Sequence, residues 1–127
     1  AKKSGVELIV VDAPPGIGCP VMASLTGIDV AVVIAEPTLS GLGDLARVVD
    51  LTRHFKIETF VAVNRFDLNE SMASKIEQWC RQSGVEFVGK IPFDMGLVEQ
   101  MSSLHFPFKG KAADRMMEVW KRVREVL

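Results

Sequence analysis

Short runs of apolar residues alternate along the chain with stretches in which apolar residues recur every three or four positions. Four runs are nearly continuous, which is typical of strands that are covered on both faces of a parallel sheet. They predict strands at Glu7–Val11, Asp29–Ala35, Thr59–Val63 and Val85–Ile91. The fourth run alternates more than the others, which places it nearer an edge of the sheet.

The stretches between these runs have the period of amphipathic helices. Ser40, Asn69 and Asp94 have side chains suited to an N-cap, and an apolar stripe follows each of them. The stripes are Leu42, Leu45, Ala46 and Val49, then Met72, Ala73, Ile76, Trp79 and Cys80 with Gly84 as the stop, then Leu97, Val98 and Met101. A short helix at about Val21–Thr26 and a last helix from about Lys111 complete the pattern.

Strands that alternate with helices predict an α/β fold. The expected architecture is a doubly wound, mainly parallel sheet with helices on both faces, a three-layer sandwich. The length of 127 residues fits one domain, and a net charge of -1 gives no general attraction to nucleic acid or to an anionic membrane. Two distant cysteines, Cys19 and Cys80, argue against a disulfide framework and favour the cytoplasm. Both are interpreted as packing residues, with a metal-ligand or thiol role for Cys19 as the alternative.

In parallel α/β sheets, ligands bind beyond the carboxyl ends of the strands, and the residues that follow each strand are called its exit here. The first exit is Asp12-Ala13-Pro14-Pro15-Gly16-Ile17-Gly18. Its carboxylate suits a magnesium ion that is also held by phosphate oxygens, and its glycines allow the backbone to approach a phosphate. The equally open alternative is that Asp12 only caps the turn.

The next three exits carry further candidate groups. Glu36 begins a turn that leads to a helix cap, and the alternative is a contact of this exit with a partner subunit or with the nucleotide-side loops. Asn64, with Asp67 three residues later, has an amide that can pair with N7 and an exocyclic group of a purine, although both are also turn residues. Pro92 and Phe93 could pack on a base, and Asp94 fits a helix cap in either case.

The segments VVDAPPGIGCPVMASLTGIDVAVVIAEPTLSGLGDLARVVDL, VAVNRFDLN and GKIPFD resemble the C-terminal half of the MinD/ParA/Mrp-type P-loop ATPases of the SIMIBI class. The resemblance is greatest to MinD-superfamily members that carry an inserted ferredoxin-like domain. It implies that residues 1–127 are the C-terminal half of a P-loop NTPase domain, beginning just before the Walker B strand, with no second domain.

The resemblance also implies roles for individual residues. Asp12 would be the Walker B aspartate that acts on Mg²⁺, and Gly16 would be its catalytic partner in the switch II loop. Asn64 would contact adenine. The positions that bind the nucleotide would be Pro14, Pro15, Gly18, Asn64, Arg65, Pro92, Phe93 and Asp94.

The chain departs from this family because it contains no GxxxxGK[ST] loop and no cluster-binding cysteine set. The resemblance implies that the full-length protein, with such a loop, binds and hydrolyses ATP with Mg²⁺ as a homodimer. It would serve an unknown client in iron–sulfur or metal-centre handling, with 4Fe-4S clusters in an insert absent from this chain. The chain alone is expected to be inactive and to self-associate through a bare sheet edge.

Two other functions remain open from the sequence. Asn64-Arg65-Phe66-Asp67 fits the NKxD pattern, so the chain could be a fragment of a GTP-binding protein that recognises guanine. It could also be a non-catalytic interaction module with a degenerate nucleotide site. The mixed charges of the last helix favour docking on the domain over binding to a membrane.

Overall fold

A computed structural model describes residues 7–127, in which a parallel sheet carries helices on both faces. The sheet has three strands in the order β1 (Val30–Ala35), β2 (Glu58–Asn64) and β3 (Glu86–Ile91). The helices are α1 (Cys19–Leu25), α2 (Leu39–His54), α3 (Glu70–Ser83), α4 (Met95–Ser102) and α5 (Lys111–Arg124), with a 3₁₀ turn at Phe66–Leu68. The predicted α/β class and parallel sheet are confirmed.

Two apolar clusters cover the two faces of the sheet. On one face, α2 and α3 pack on β1 and β2 through Ala35, Leu45, Val49, Val61, Val63, Ala73, Ile76 and Cys80. On the other face, α5 packs on β2 and β3 through Phe60, Ala62, Val88, Val119 and Val123. The alternation of side chains along β2 therefore sends successive residues into opposite clusters.

The two short helices occupy opposite ends of the sheet. Val21 and Leu25 of α1 pack on Ile57, which immediately precedes β2. Leu97 of α4 packs on Ile91, the last residue of β3, in a cluster that also includes the start of α5. The helix α4 therefore lies next to the carboxyl ends of the strands, where the candidate exits are.

The ends of α2 and α3 show which polar side chains set the helix boundaries. Asn69 accepts a hydrogen bond from the N–H of Met72 at 3.1 Å, and Gly84 ends α3 in the left-handed conformation with φ 66°, as predicted. The predicted cap at Ser40 is wrong. Thr38 is the N-cap of α2, and its Oγ1 accepts from the N–H of Gly41 at 2.9 Å.

The predicted first strand is the main correction to the fold. Residues 7–11 belong to no strand, and their apolar side chains are exposed, Ile9 by 61% and Val10 by 78%. A strand forms when its N–H and C=O groups find a neighbouring chain, and β1 is paired only with β2 in the described residues. The apolar run was therefore identified correctly, but burial does not follow from it here.

The strand β1 is also uncovered on one face. Val32 is exposed by 41% and Ile34 by 51%. Both lie on the face of the sheet that α5 covers at β2 and β3. The segment at residues 8–11 and this face of β1 thus present apolar side chains that the described residues leave open to solvent.

Candidate functional site

The three strands bring their exits to the same edge of the sheet. In the observed register, Ala35 at the end of β1 lies opposite Val63, and Asn64 at the end of β2 lies opposite the last residue of β3. Glu36, Asn64 and Pro92 therefore begin three neighbouring exits.

Arg65 is fixed in an uncommon backbone conformation directly after β2. Its φ of 52° and ψ of 41° are left-handed, which costs a residue with a side chain roughly 1–2 kcal/mol. Asn64 Oδ1 accepts from the N–H of Arg65 at 3.0 Å, and the Arg65 guanidinium forms an ion pair with Glu36. These contacts compensate for the strain and direct the Arg65 side chain towards the exit of β1.

The half-buried amide of Asn64 retains free hydrogen-bonding groups. Its oxygen has two lone pairs, and the N–H of Arg65 uses one of them. The amide nitrogen donates to no protein group in residues 7–127, so two N–H donors and one acceptor site remain. This combination can pair with a ligand group that offers a donor and an acceptor side by side.

Asp67 connects the exit of β2 to the exit of β3. Its Oδ1 accepts a hydrogen bond from the backbone N–H of Phe93 at 2.7 Å. A hydrogen bond to a charged acceptor is stronger than one between neutral groups. The loop at residues 92–94 is thus held against the 3₁₀ turn that follows Arg65.

Asp94 joins the N-termini of two helices. Oδ1 accepts from the N–H groups of Gly96 at 3.0 Å and Leu97 at 3.4 Å, while Oδ2 accepts from Ala112 at 3.2 Å. The Ala112 bond is the main reason why the pKa of Asp94 lies below its ordinary value, and those to Leu97 and Gly96 add to it. Gly110 is required beside this carboxylate, because a Cβ there would lie 2.8 Å from Oδ2 and its φ is 120°.

The loop at residues 12–18 is exposed and precedes α1. Gly16 has a φ of 98°, which favours glycine, and the Gly18 carbonyl accepts from Val21 and Met22 at the start of α1. No hydrogen bond in residues 7–127 joins this loop to the exits of β2 or β3. Residues 7–127 contain no group of three or more His, Cys, Asp or Glu side chains that could hold a metal ion.

The two cysteines lie in contrasting environments. Cys80 is fully buried in α3, and burial raises the pKa of its thiol to about 11, so its interpretation as a packing residue is confirmed. Cys19 is exposed as the first residue of α1, so the same interpretation of Cys19 is wrong. The reason is that α1 places Val21 and Leu25, and not Cys19, against the sheet.

A groove of about 790 Å³ runs between α3, β3 and α5 along the outer edge of β3. Its acidic groups are paired: Glu77 contacts Lys90 at 2.6 Å, and Glu118 contacts Arg115 at 2.6 Å. Arg122 donates to the carbonyl of Val88 at 3.2 Å, where the register of β3 shifts. These internal contacts satisfy most of the charges that line the groove, so the exits are the stronger candidate site.

No family model matches the chain. An uncharacterised protein of Methanocaldococcus jannaschii is 26% identical over 129 residues, covering 100% of this chain and 43% of the relative. An uncharacterised ATP-binding protein of the same organism is 24% identical over 89 residues, covering 70% of this chain and 34% of the relative.

The crystal structure of the Pyrococcus furiosus cell division ATPase MinD matches with a TM-score of 0.76 and 19% identity, over 98% of this chain and 54% of MinD. The chain has a MinD-like P-loop ATPase fold. It spans less than half the length of the curated relatives described above. Every helix in residues 7–127 of this MinD-like chain is too short or too polar to cross a membrane.

Two contacts of the candidate site were missed from the sequence. Glu36 was interpreted as part of a turn, and its ion pair with Arg65 was not predicted; nor was the bond from the Phe93 N–H to Asp67. The sequence did contain one signal for the ion pair, because residues of opposite charge, Glu36 and Arg65, lie at two neighbouring exits. Pairing depended on the left-handed Arg65, which sequence pattern alone does not indicate.

Proposed function

We propose that the full-length protein is a MinD-like ATPase and that this chain supplies its magnesium-side loop and its base-binding exits. The chain would then be the C-terminal half of a P-loop NTPase domain. The observation that carries the proposal is the partly free amide of Asn64, which lies at the carboxyl edge of a MinD-like sheet beside the exit of β3. The ATP-binding relative supports the same class of ligand.

The loop at residues 12–18 would form the phosphate side of the site. Mg²⁺ favours one or two carboxylates together with phosphate oxygens and water, and the exposed Asp12 can provide one such carboxylate. Gly16, with its positive φ, would let the backbone approach the γ-phosphate, while Pro14, Pro15 and Gly18 would shape the loop. The bound ion would neutralise charge on the phosphates during hydrolysis.

The exits of β2 and β3 would form the base side of the site. Asn64 would pair with the edge of the base, while Arg65 supports the Asn64 oxygen through its N–H. Pro92 and Phe93 would pack on the base. Asp94 would contribute indirectly, because both of its oxygens hold the helices that follow this loop.

The remaining parts of the proposal concern groups outside the described residues. A further strand of the full-length protein would pair with residues 8–11, a further helix would cover the open face of β1, and the assembled ATPase would act as a homodimer. A link to iron–sulfur or metal-centre handling rests on the sequence resemblance. A 4Fe-4S cluster needs about four ligands. The chain has only two cysteines, so the cluster would lie elsewhere in the protein.

Replacing Asp12 by asparagine in the full-length protein tests the magnesium assignment. We expect kcat for Mg²⁺-dependent ATP hydrolysis to fall about 100-fold or more, because the metal stabilises charge in the transition state. The control is Asp29→Asn, which changes an exposed carboxylate just before β1, at the opposite end of that strand. Equal turnover in wild type and Asp12→Asn would contradict the assignment.

The chain of residues 1–127 by itself is expected to show no Mg²⁺-dependent ATP turnover. The reason is that a lysine and a backbone nest normally hold the β- and γ-phosphates, and no such loop is present in this sequence. The measurement is phosphate release by the purified chain, with folding verified by circular dichroism. Turnover that Asp12→Asn abolishes would show that this chain contains a complete site.

A further inference from the structure

The outer edge of β3 is unpaired. In the described residues β3 pairs with β2 and with no other strand. Alternate N–H and C=O groups of an edge strand point away from the sheet, where another extended chain can bind them. The groove of about 790 Å³ lies along this edge, between α3 and α5. It therefore offers a ligand the backbone groups of a strand as well as side chains.

A bulge in β3 places an arginine at this edge. The pairing with β2 moves from Phe87 to Gly89 and skips Val88. The Val88 carbonyl accepts a hydrogen bond from Nη1 of Arg122 at 3.2 Å. A guanidinium has five N–H donors, so Arg122 retains donors that suit a carboxylate.

Positive charge predominates in the lining of the groove. Five lining side chains are basic and two are acidic, which leaves a surplus of three positive charges. The basic side chains are Arg81, Lys90, Arg115, Lys121 and Arg122, and the acidic ones are Glu77 and Glu118. The whole chain has a net charge of -1, so the rest of the sequence is acidic. The surplus is therefore a property of this groove and not of the chain as a whole.

The ion pairs inside the groove leave two of these cations without a carboxylate. Glu77 is shared between Arg81 and Lys90, at 2.6 Å from each. Lys121 and Arg122 are exposed, and neither forms an ion pair with a group in residues 7–127. A ligand that brings carboxylates would therefore pair with these two side chains without breaking an ion pair of the protein.

The two walls of the groove differ in character. Towards α3, the groove is lined by the half-buried rings of Phe66 and Phe87, which pack on the apolar cluster of that face of the sheet. Towards α5, it is lined by the exposed cations Arg115, Lys121 and Arg122. A chain that extended the sheet along β3 would direct alternate side chains to the two walls. Acidic residues would then face α5, and apolar residues between them would face the two rings.

We propose that this groove binds an extended, acidic segment of a partner protein, which adds a strand to the edge of β3. Its carboxylates pair with Lys121 and Arg122, and its backbone binds the outward groups of β3. A second copy of this edge does not fit, because it would bring the same surplus of positive charge against the groove. No residue that we assign to the nucleotide lines the groove, so the inference goes beyond the proposed function and does not depend on it.

The first experiment measures the binding of synthetic peptides to the full-length protein by fluorescence anisotropy. Because β3 has six residues, the probe is a labelled peptide of about seven residues that alternates glutamate and valine. We expect a dissociation constant below about 1 mM, and a peptide with lysine in place of glutamate should bind at least about 10-fold more weakly. Absence of binding by the acidic peptide, or equal binding of the two peptides, would overturn the inference.

Lys121→Glu tests the charge of the groove. It reverses a cation that has no carboxylate partner in residues 7–127, so the affinity for the acidic peptide should fall about 10-fold while the circular dichroism spectrum is unchanged. The matched control is Arg124→Glu, which makes the same change of charge on the same helix but outside the groove. It should change the affinity less than about 2-fold. Equal losses in the two variants would assign the effect to net charge and contradict a site in the groove.

Two N-methylated forms of the acidic peptide test the added strand. Methylation of alternate residues removes the N–H groups on one side of an extended chain, and the second form is methylated at the complementary positions. Only the form that loses the N–H groups facing β3 should bind about 10-fold or more weakly. Equal affinities of the two forms would show that the peptide does not pair with β3.

Two further measurements identify other occupants of the groove. A short DNA duplex should bind more weakly than the acidic peptide at the same ionic strength, because Glu77 and Glu118 stand among the cations. Wild type and Lys121→Glu should have the same mass in sedimentation equilibrium. Tighter binding of DNA would assign the groove to phosphate, and dissociation of a dimer by Lys121→Glu would assign it to a second copy; either result would overturn the inference.

Discussion

Phe60→Ala is expected to lower the free energy of unfolding by about 3–5 kcal/mol, because it removes a large buried aromatic ring and leaves a cavity. Phe60 is 1% exposed at the centre of the cluster between the sheet and α5. The free energy of unfolding of a small domain is about 5–15 kcal/mol, so this single change would remove a large share of the stability. The measurement is the urea-induced unfolding transition, followed by circular dichroism.

Phe55→Ala is the control for this change. Phe55 follows α2 and is 39% exposed, so the truncation should cost less than about 1 kcal/mol. Similar losses in the two variants would show that the α5 side of the sheet is not packed as described.

Gly41→Ala and Gly43→Ala are expected to change stability in opposite directions, although both glycines lie in the GLG segment of α2. A Cβ at Gly41 would lie 2.3 Å from the carbonyl oxygen of Glu36, so the first turn must shift at a cost of about 1–3 kcal/mol. No atom lies within 4 Å of a Cβ at Gly43, and alanine there should stabilise the helix by about 0.5–1 kcal/mol.

The Gly41 substitution should also change the position of Glu36 in the candidate site. The carbonyl of Glu36 accepts from the N–H of Thr38 at 2.8 Å, which closes the tight turn that carries the Glu36 side chain towards Arg65. Thermal unfolding of the two variants gives the stability difference. A stabilising effect at both positions would contradict the close contact between α2 and the end of β1.

Much of the fold could be predicted from the sequence because local signals agreed with tertiary packing. The runs that became β1, β2 and β3 were identified to within about one residue, and the Asn69 and Gly84 boundaries of α3 were correct. The start of α2 could not be placed, because Thr38 and Ser40 are both good caps. The choice depended on the turn that the Glu36 carbonyl makes.

The segment at residues 7–11 shows where pattern reasoning stops. An apolar run specifies which side chains avoid water, but pairing requires a neighbouring backbone. The structure provides no such neighbour within the described residues, so a run as apolar as that of β2 remained irregular here. Tertiary context therefore decided the outcome for two runs that have similar sequences.

The candidate site was predictable as a location and less so as a set of contacts. Parallel topology placed Asn64 and Pro92 at one edge, and this required only the order of the strands. The Glu36–Arg65 pair depends on a left-handed residue and on side-chain reach across two loops. Such contacts between distant residues have no signature in the spacing of residue types.

The exposed stretch at residues 8–11 has a consequence for the tendency of the chain to aggregate. Its four residues are β-branched or aliphatic, with no charge and no proline, and exposed stretches of this composition favour pairing between chains. Pro14 and Pro15 follow closely and limit how far such pairing can extend. Covering this stretch, as we propose the full-length protein does, would therefore protect against aggregation as well as extend the sheet.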